Sequence, residues 1–86
     1  MVELCRFNNI IIRMFYEDHA PPHFHVKYNE HAAQFSVNDG ELLNGNLPAR
    51  QLKLTQAWWI LRELEVKEAW NKVANNMDPG KIEPLK

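Results

Sequence analysis

The sequence predicts a single α+β domain over residues 1–86, in which an antiparallel sheet of three to four strands is followed by one bent helix or two short helices on one face. The first half of the chain alternates apolar and polar residues with the period of a strand, and turn-forming residues separate its segments. The second half repeats its apolar residues at helical spacing. A chain of this length has room for one modest core, so we expect marginal stability unless a partner adds surface.

The first two predicted strands form the centre of the sheet. Residues 9–16 are β-branched and aromatic on both faces, which is typical of a central strand. After a connection that ends at Pro22, residues 23–29 alternate cleanly between two faces. The face toward the helices carries Phe24, Val26 and Tyr28, and the face away from them carries His23, His25 and Lys27.

The remaining strands follow two turns. Residues 31–37 form the third predicted strand, which starts after the Asn29-Glu30 turn. Asn38-Asp39-Gly40 is a strong turn signal, because each of these residues favours turn geometry. Leu42-Leu43 is then a candidate for a short fourth strand.

The helical half begins at Leu47-Pro48, because proline is tolerated in the first turn of a helix. The apolar pattern changes phase after Leu64, which predicts a kink and a second helix over about residues 65–76. The apolar tail, residues 81–86, is expected to pack back on the domain. The predicted contacts with the sheet are made by Leu54, Trp58, Leu61 and Trp70.

Charge and cysteine content exclude several classes of protein. The net charge of −1 argues against binding to nucleic acid through bulk electrostatics, although it is compatible with a local basic strip. Cys5 is the only cysteine, so no intramolecular disulfide forms, and this fits a reducing compartment. The sequence has neither a signal peptide at Met1 nor an apolar run that could span a bilayer. We therefore expect a cytoplasmic protein without a membrane partner.

Three of the four histidines lie in one segment, Asp18-His19-Ala20-Pro21-Pro22-His23-Phe24-His25. Histidine is the commonest metal ligand and the side chain whose unperturbed pKa lies closest to neutrality. The two prolines stiffen the backbone between the histidines, because each ring fixes φ. The segment therefore predicts a functional site.

The same segment carries a family resemblance. The matching motifs are Arg6-Phe7, residues 10–16, the block from Asp18 to Val26, Gly45-x-Leu47-Pro48-x-Arg50, a tryptophan in the first helix, Trp70 and Lys81-Ile82-x-Pro84-Leu85. Together they resemble DUF4160, a family of small bacterial proteins of unknown function. The resemblance implies a compact domain, gene pairs similar to toxin–antitoxin modules, and often a neighbouring small protein of the DUF2442 family. It implies no catalytic residues, and it implies a glycine where this chain has Asn9, a residue that tolerates left-handed geometry.

One hypothesis for the histidine segment is a metal site. His23 and His25 are two residues apart on one strand, so both imidazoles lie on the same face and could bind one zinc or manganese ion. His19 or Asp18 would add a third ligand, and Glu17 is a further candidate. The alternative is structural: Asp18 caps a turn, His19 bonds to backbone, and His23 and His25 are solvated.

A second hypothesis is acid–base cleavage of a phosphodiester, as in a small ribonuclease. His19, His23 and His25 would supply the general base and the general acid, and Lys27 or Arg13 would stabilise the phosphate charge. Alternation with Ile12 suggests that Arg13 lies on the face opposite the histidines, which weakens this hypothesis. The sequence does not decide whether the protein is an enzyme.

The third hypothesis is binding of a protein partner, and we favour it at this stage. Adjacent Trp58 and Trp59 cannot both face one core, because consecutive helical residues lie about 100° apart. We therefore expect Trp59 to be partly exposed or to cover a second surface, and we take it with the Pro21-Pro22 turn as the candidate interface. The resulting prediction is one component of a two-protein bacterial module, with a DUF2442-like partner and an undetermined oligomeric state. A small histidine-based or metal-assisted ribonuclease is the alternative.

Overall fold

The computed structural model describes residues 2–16 and 18–85 and contains a five-stranded sheet followed by two helices. The strands are β1 (Val2–Phe7), β2 (Ile10–Met14), β3 (His23–Tyr28), β4 (His31–Ser36) and β5 (Leu42–Gly45). The helices are α1 (Ala49–Leu61) and α2 (Glu63–Ala74). Each strand pairs antiparallel with the next along the chain. The predicted α+β class and the order of sheet and helices are confirmed.

The sheet has five strands rather than the predicted three to four, and the additional strand is β1. Its register shifts between Glu3 and Cys5, so that Leu4 and Cys5 are buried in succession. A bulge of this kind breaks the alternation by which a strand is identified in a sequence. The short strand predicted at Leu42-Leu43 exists and extends to Gly45.

Two asparagines form the turn between β1 and β2. The φ angles of Asn8 and Asn9 are 49° and 63°, both in the left-handed region. Asparagine is one of the few side chains that adopt this region readily. Asn9 therefore provides the geometry for which the family resemblance implies a glycine.

The sheet has one face covered by helices and one face without a covering helix, called here the open face. On the covered face Phe24 stacks on Phe35 with ring centroids 5.6 Å apart and meets Trp58 of α1 edge-on at 5.7 Å. On the open face the strand register aligns one polar residue from every strand in a row. That row is Glu3, Arg13, His25, Gln34 and Asn44.

The helices differ from the prediction in which side chains they bury. The α1 side chains in the core are Thr55, Trp58 and Trp59, so the buried arc of the helix is centred on Thr55. Residues advance by about 100° around a helix, which places Leu61 outside that arc. Leu61 is 65% exposed, and its predicted contact with the sheet is therefore wrong. The kink predicted after Leu64 lies at Arg62, between α1 and α2.

The C-terminal tail packs back on the domain as predicted. Ile82 is buried, and its backbone N–H donates to the Leu4 carbonyl over 2.9 Å. The Trp58 indole N–H donates to the Glu83 carbonyl over 2.8 Å. Within the described ranges, neither helix is long and apolar enough to cross a membrane.

Candidate metal centre

Three side chains of the histidine segment converge on one point. The Oδ2 atom of Asp18 lies 2.9 Å from Nε2 of His23 and 2.9 Å from Nε2 of His25. One ligand atom from each of the three side chains lies within 4.8 Å of the others. The predicted chelation by His23 and His25, with Asp18 as third ligand, is therefore geometrically available.

The strand and the turn before it position these side chains. His23 and His25 occupy the first and third positions of β3, and Asp18 reaches them from the connection between β2 and β3. The Ala20–Pro21 peptide bond in that connection is cis. The Pro21 carbonyl then accepts a hydrogen bond from Nδ1 of His23 over 2.7 Å.

The interpretation of His23 as a solvated residue is wrong, because only 3% of its side chain is exposed. Trp70 of α2 packs against its imidazole, with ring centroids 5.6 Å apart. His25 is partly exposed, and its ring stacks on Phe15 with centroids 4.2 Å apart. The pair therefore combines one fixed imidazole with one that solvent can reach.

The hydrogen bond to Pro21 determines which nitrogen of His23 is available. A carbonyl oxygen only accepts hydrogen bonds, so Nδ1 of His23 carries a proton. In the neutral ring Nε2 is then unprotonated and directs its lone pair at the Asp18 carboxylate, which is also an acceptor. Two acceptors 2.9 Å apart repel unless a proton or a metal ion lies between them. The arrangement is therefore one that a cation stabilises.

The carboxyl group of Asp18 is ionised near neutral pH. Burial raises its pKa, but the hydrogen bond from His25, the positive charge that His23 carries in its protonated form and the backbone N–H of His19 together hold that pKa below its ordinary value. The carboxylate also accepts the backbone N–H of His19 over 3.1 Å. An ionised carboxylate beside two imidazoles is a donor set suited to zinc or manganese.

The other predicted members of the site lie apart from this cluster. His19 is exposed, its Nδ1 lies 3.3 Å from the Ala20 carbonyl oxygen, and its ring centroid is 5.8 Å from that of His23. Lys27 is exposed and donates to the Asn29 carbonyl over 2.8 Å. Glu17 lies outside the described residues. The structure thus brings together Asp18, His23 and His25 and leaves His19 and Lys27 at the periphery.

Arg13 lies on the same face as His25, so its expected position on the opposite face is wrong. The two residues are direct partners in the β2–β3 register, and directly opposed residues in an antiparallel pair share a face. This shared face follows from the β2–β3 register, because alternation within one strand does not fix its phase relative to the next. The positively charged Arg13 therefore lies next to His25 on the open face.

An open concavity of about 340 Å³ adjoins the cluster on the open face, and we call it the groove. His25 is part of its lining and links it to the candidate metal centre. The other polar and aromatic side chains that line it are Arg13, Phe15, Lys27, Gln34 and Asn44.

The candidate partner residues are placed differently from one another. Pro21 is exposed, but Trp59 is only 9% exposed and its indole N–H donates to the Val37 carbonyl over 3.0 Å. Trp59 packs against Gly40, where an added Cβ would lie 2.7 Å from the ring. Trp58 and Trp59 belong to one core. The expectation that they cannot both face it, and with it the expected partial exposure of Trp59 or its cover of a second surface, is therefore wrong.

The fold and the cluster define a small α+β protein with a three-residue set of potential metal ligands at the start of a central strand. The chain belongs to the family described as "Domain of unknown function (DUF4160)", whose sequence model matches residues 9–71. The matched region contains the cluster, Arg13 and most of both helices. No curated protein and no solved structure matches the chain.

Proposed function

We propose that the protein is a metal-dependent hydrolase whose ion is bound by Asp18, His23 and His25. The observation that carries the proposal is the orientation of His23. Histidines that bind metals usually donate their second ring N–H to a carbonyl or carboxylate, which fixes the tautomer and the ring. His23 does this through Pro21, and its free Nε2 lies 2.9 Å from the Asp18 carboxylate, with the ligand atom of His25 within 4.8 Å.

The dimensions of the cluster fit a small divalent ion. Ligand bonds of about 2.0 Å in a tetrahedral site place the ligand atoms about 3.3 Å apart. The two separations from Asp18 Oδ2 are 2.9 Å and need only a few tenths of an ångström of movement to reach this value, and the ligand atoms of the two histidines lie within 4.8 Å of each other. Three protein ligands leave a coordination position for water, and an ion in such a site activates bound water as a nucleophile near neutral pH.

An anionic ester is the substrate class that suits this centre. Arg13 and Lys27 line the groove that His25 shares, and cations beside a hydrolytic centre stabilise negative charge that develops in the transition state. This placement supports the metal-assisted ribonuclease alternative, whose main difficulty was the expected position of Arg13. Cys5 is not a candidate nucleophile, because burial raises the pKa of its thiol to about 12.

Calorimetric titration of the purified protein with zinc and manganese tests the metal site. We expect binding near one equivalent, and at least a hundredfold loss of affinity in Asp18→Asn and His25→Ala, because each removes a ligand. At metal concentrations about 100 times Kd, the folded state gains about 2.7 kcal/mol, so the melting temperature should rise by about 10–20 °C.

His31→Ala is the matched control for these variants. His31 begins β4 and its Nδ1 lies 3.2 Å from Asn46 Oδ1, away from the cluster, so its removal should leave metal affinity unchanged. Absence of binding at micromolar metal, or equal losses in His31→Ala and His25→Ala, would contradict the proposal. Cleavage of RNA that persists in EDTA would exclude the metal-dependent mechanism even if an ion binds.

A second candidate function is the protein-binding component of a two-protein module. An exposed apolar cluster at the junction of α1 and α2 favours it: Ile60 is 66%, Leu61 65% and Leu64 75% exposed. Large exposed apolar side chains that lie this close together in the chain favour a protein interaction site, because large apolar patches are uncommon on monomers. Because Trp59 is buried, this cluster replaces it as the best-placed contact surface for a DUF2442-like neighbour.

Copurification with the product of the neighbouring gene tests the second candidate. Leu61→Glu should abolish the complex by placing a charge in the apolar contact, whereas Lys53→Glu, a charge change elsewhere on α1, should not. A complex that tolerates Leu61→Glu but fails with Pro21→Ala would move the interface to the histidine segment. If no complex forms with the wild-type chain, the module hypothesis is wrong.

A further inference from the structure

We infer that the groove on the open face binds single-stranded RNA, with Arg13 and Lys27 contacting its phosphates. The inference names a substrate class for the hydrolytic centre and in that respect rests on the proposed function. Binding itself depends only on the groove, so the two can fail separately. Four features of the open face support it.

The first feature is an unsatisfied donor. Nε of Arg13 is inaccessible to solvent and has no hydrogen-bond partner within residues 2–16 and 18–85. A buried donor without an acceptor costs about 1–3 kcal/mol, and more when the group is charged. A guanidinium presents donors in a fork that matches the oxygens of a phosphate. Solvent does not reach Nε itself, so a phosphate in the groove would meet the partly exposed remainder of the Arg13 side chain, which lines the groove.

The second feature is the local charge. The groove and a neighbouring concavity of about 280 Å³ share Lys27 as a lining residue, and the second concavity adds Arg6. No carboxylate lines either of them among the residues described. Glu3 is the acidic member of the polar row, and it pairs with Arg6 over 2.8 Å. The open face thus provides a basic strip on a chain whose net charge is −1.

The third feature is the combination of aromatic and amide groups. Phe15 and His25 are stacked with an interplanar angle of 11°, and both rings line the groove. Sequence-tolerant binding of single strands combines a cationic groove with aromatic rings on which bases stack. Gln34 and Asn44 add amide donors and acceptors that can reach base edges. An acidic peptide would use the cations but not this aromatic pair.

The fourth feature is scale. A concavity of about 340 Å³ on a sheet is at the lower end of the range for small-ligand pockets, about 300–1,000 Å³. It can accept one nucleotide unit but not a duplex. The second concavity shares Lys27 with the groove, so a strand that extends from one to the other would place successive phosphates at Arg13 and Lys27.

The experiment measures binding of a short fluorescein-labelled single-stranded RNA by fluorescence anisotropy in EDTA, over a series of salt concentrations. We expect the affinity to fall linearly with salt on logarithmic axes. Arg13→Gln should weaken binding about tenfold and reduce the slope by about 0.7, the value for one phosphate contact on a single strand. Lys27→Gln should act in the same direction.

Lys53→Gln is the matched control, because it removes the same charge from the exposed surface of α1. Its binding should equal that of the wild-type chain, and unchanged melting temperatures would show that the groove variants are folded. Equal affinities of Arg13→Gln, Lys27→Gln and Lys53→Gln would overturn the inference. So would competition by polyglutamate as strong as by RNA, or binding of inorganic phosphate without binding of RNA.

The EDTA condition separates the inference from the proposed function. RNA binding without any metal affinity would support the groove and refute the metal-dependent hydrolase. Metal binding without RNA binding would refute the groove and leave the metal centre intact.

Discussion

Replacement of Trp59 by alanine should unfold the isolated domain or come close to it. Its indole is 9% exposed, packs on the Gly40 turn and donates to the Val37 carbonyl. Truncation of a buried tryptophan to alanine costs about 3–5 kcal/mol, and the buried carbonyl loses its donor in addition. A domain of this size has about 5–15 kcal/mol of stability in total, so most of it could be lost.

Thermal and urea denaturation, both followed by far-UV circular dichroism, measure this effect. We expect the melting temperature of Trp59→Ala to fall by at least about 12 °C, since each kcal/mol shifts a domain of this size by about 4–8 °C. Ile60→Ala is the matched control, because Ile60 is the next residue of α1 and its side chain is 66% exposed. Its free energy of unfolding should stay within about 0.5 kcal/mol of the wild-type value. Equal denaturation midpoints for Trp59→Ala and the wild type would show that the packing described for α1 is wrong.

Three further predictions concern the turns, the thiol and the tail. Gly45→Ala should destabilise the folded state by several kcal/mol more than Gly80→Ala, as measured by urea denaturation. Both glycines have a φ of 76°, but only at Gly45 would a Cβ lie 2.2 Å from the Ala32 carbonyl oxygen. Cys5 should react with a disulfide reagent at pH 8 about a thousandfold more slowly in the folded chain than in urea, because a pKa of about 12 leaves little thiolate. The rate in the folded chain should rise as the pH approaches that pKa, and equal rates in the two states would show an exposed thiol. Ile82→Ala should cost about 2–5 kcal/mol by differential scanning calorimetry, and a loss below 0.5 kcal/mol would mean that the tail contributes no packing.

The sequence predicts this fold well where one pattern dominates and poorly where two patterns overlap. Clean alternation identifies β3, and the apolar run identifies β2, because each has the period of a strand. The bulge in β1 hides that strand. In α1 the spacing of the leucines suggests a buried face that includes Leu61. The buried face instead contains Trp58 and Trp59, whose indole N–H groups are both hydrogen-bonded.

The same contrast applies to the candidate site. The spacing of His23 and His25 predicts a shared metal ligand pair, and the structure brings their Nε2 atoms to one carboxylate oxygen. The burial of His23 could not be predicted, because it depends on Trp70, which is distant in sequence. The proximity of Arg13 to His25 depends on strand register, which alternation alone leaves undetermined.

The stability of the fold does not account for the Asp18–His23–His25 cluster. Burying an imidazole against a carboxylate costs desolvation energy, and apolar residues of similar volume would often serve the core equally well or better. Two members of the cluster nevertheless lie on the central strand, where Phe24 and Val26 supply the core contacts between and beside the histidines. Departures from local rules of stability concentrate at functional sites, where the rest of the fold compensates for them. The alternation of β3 thus lets Phe24 and Val26 pack in the core while His23 and His25 meet Asp18, with the exposed part of His25 beside the groove.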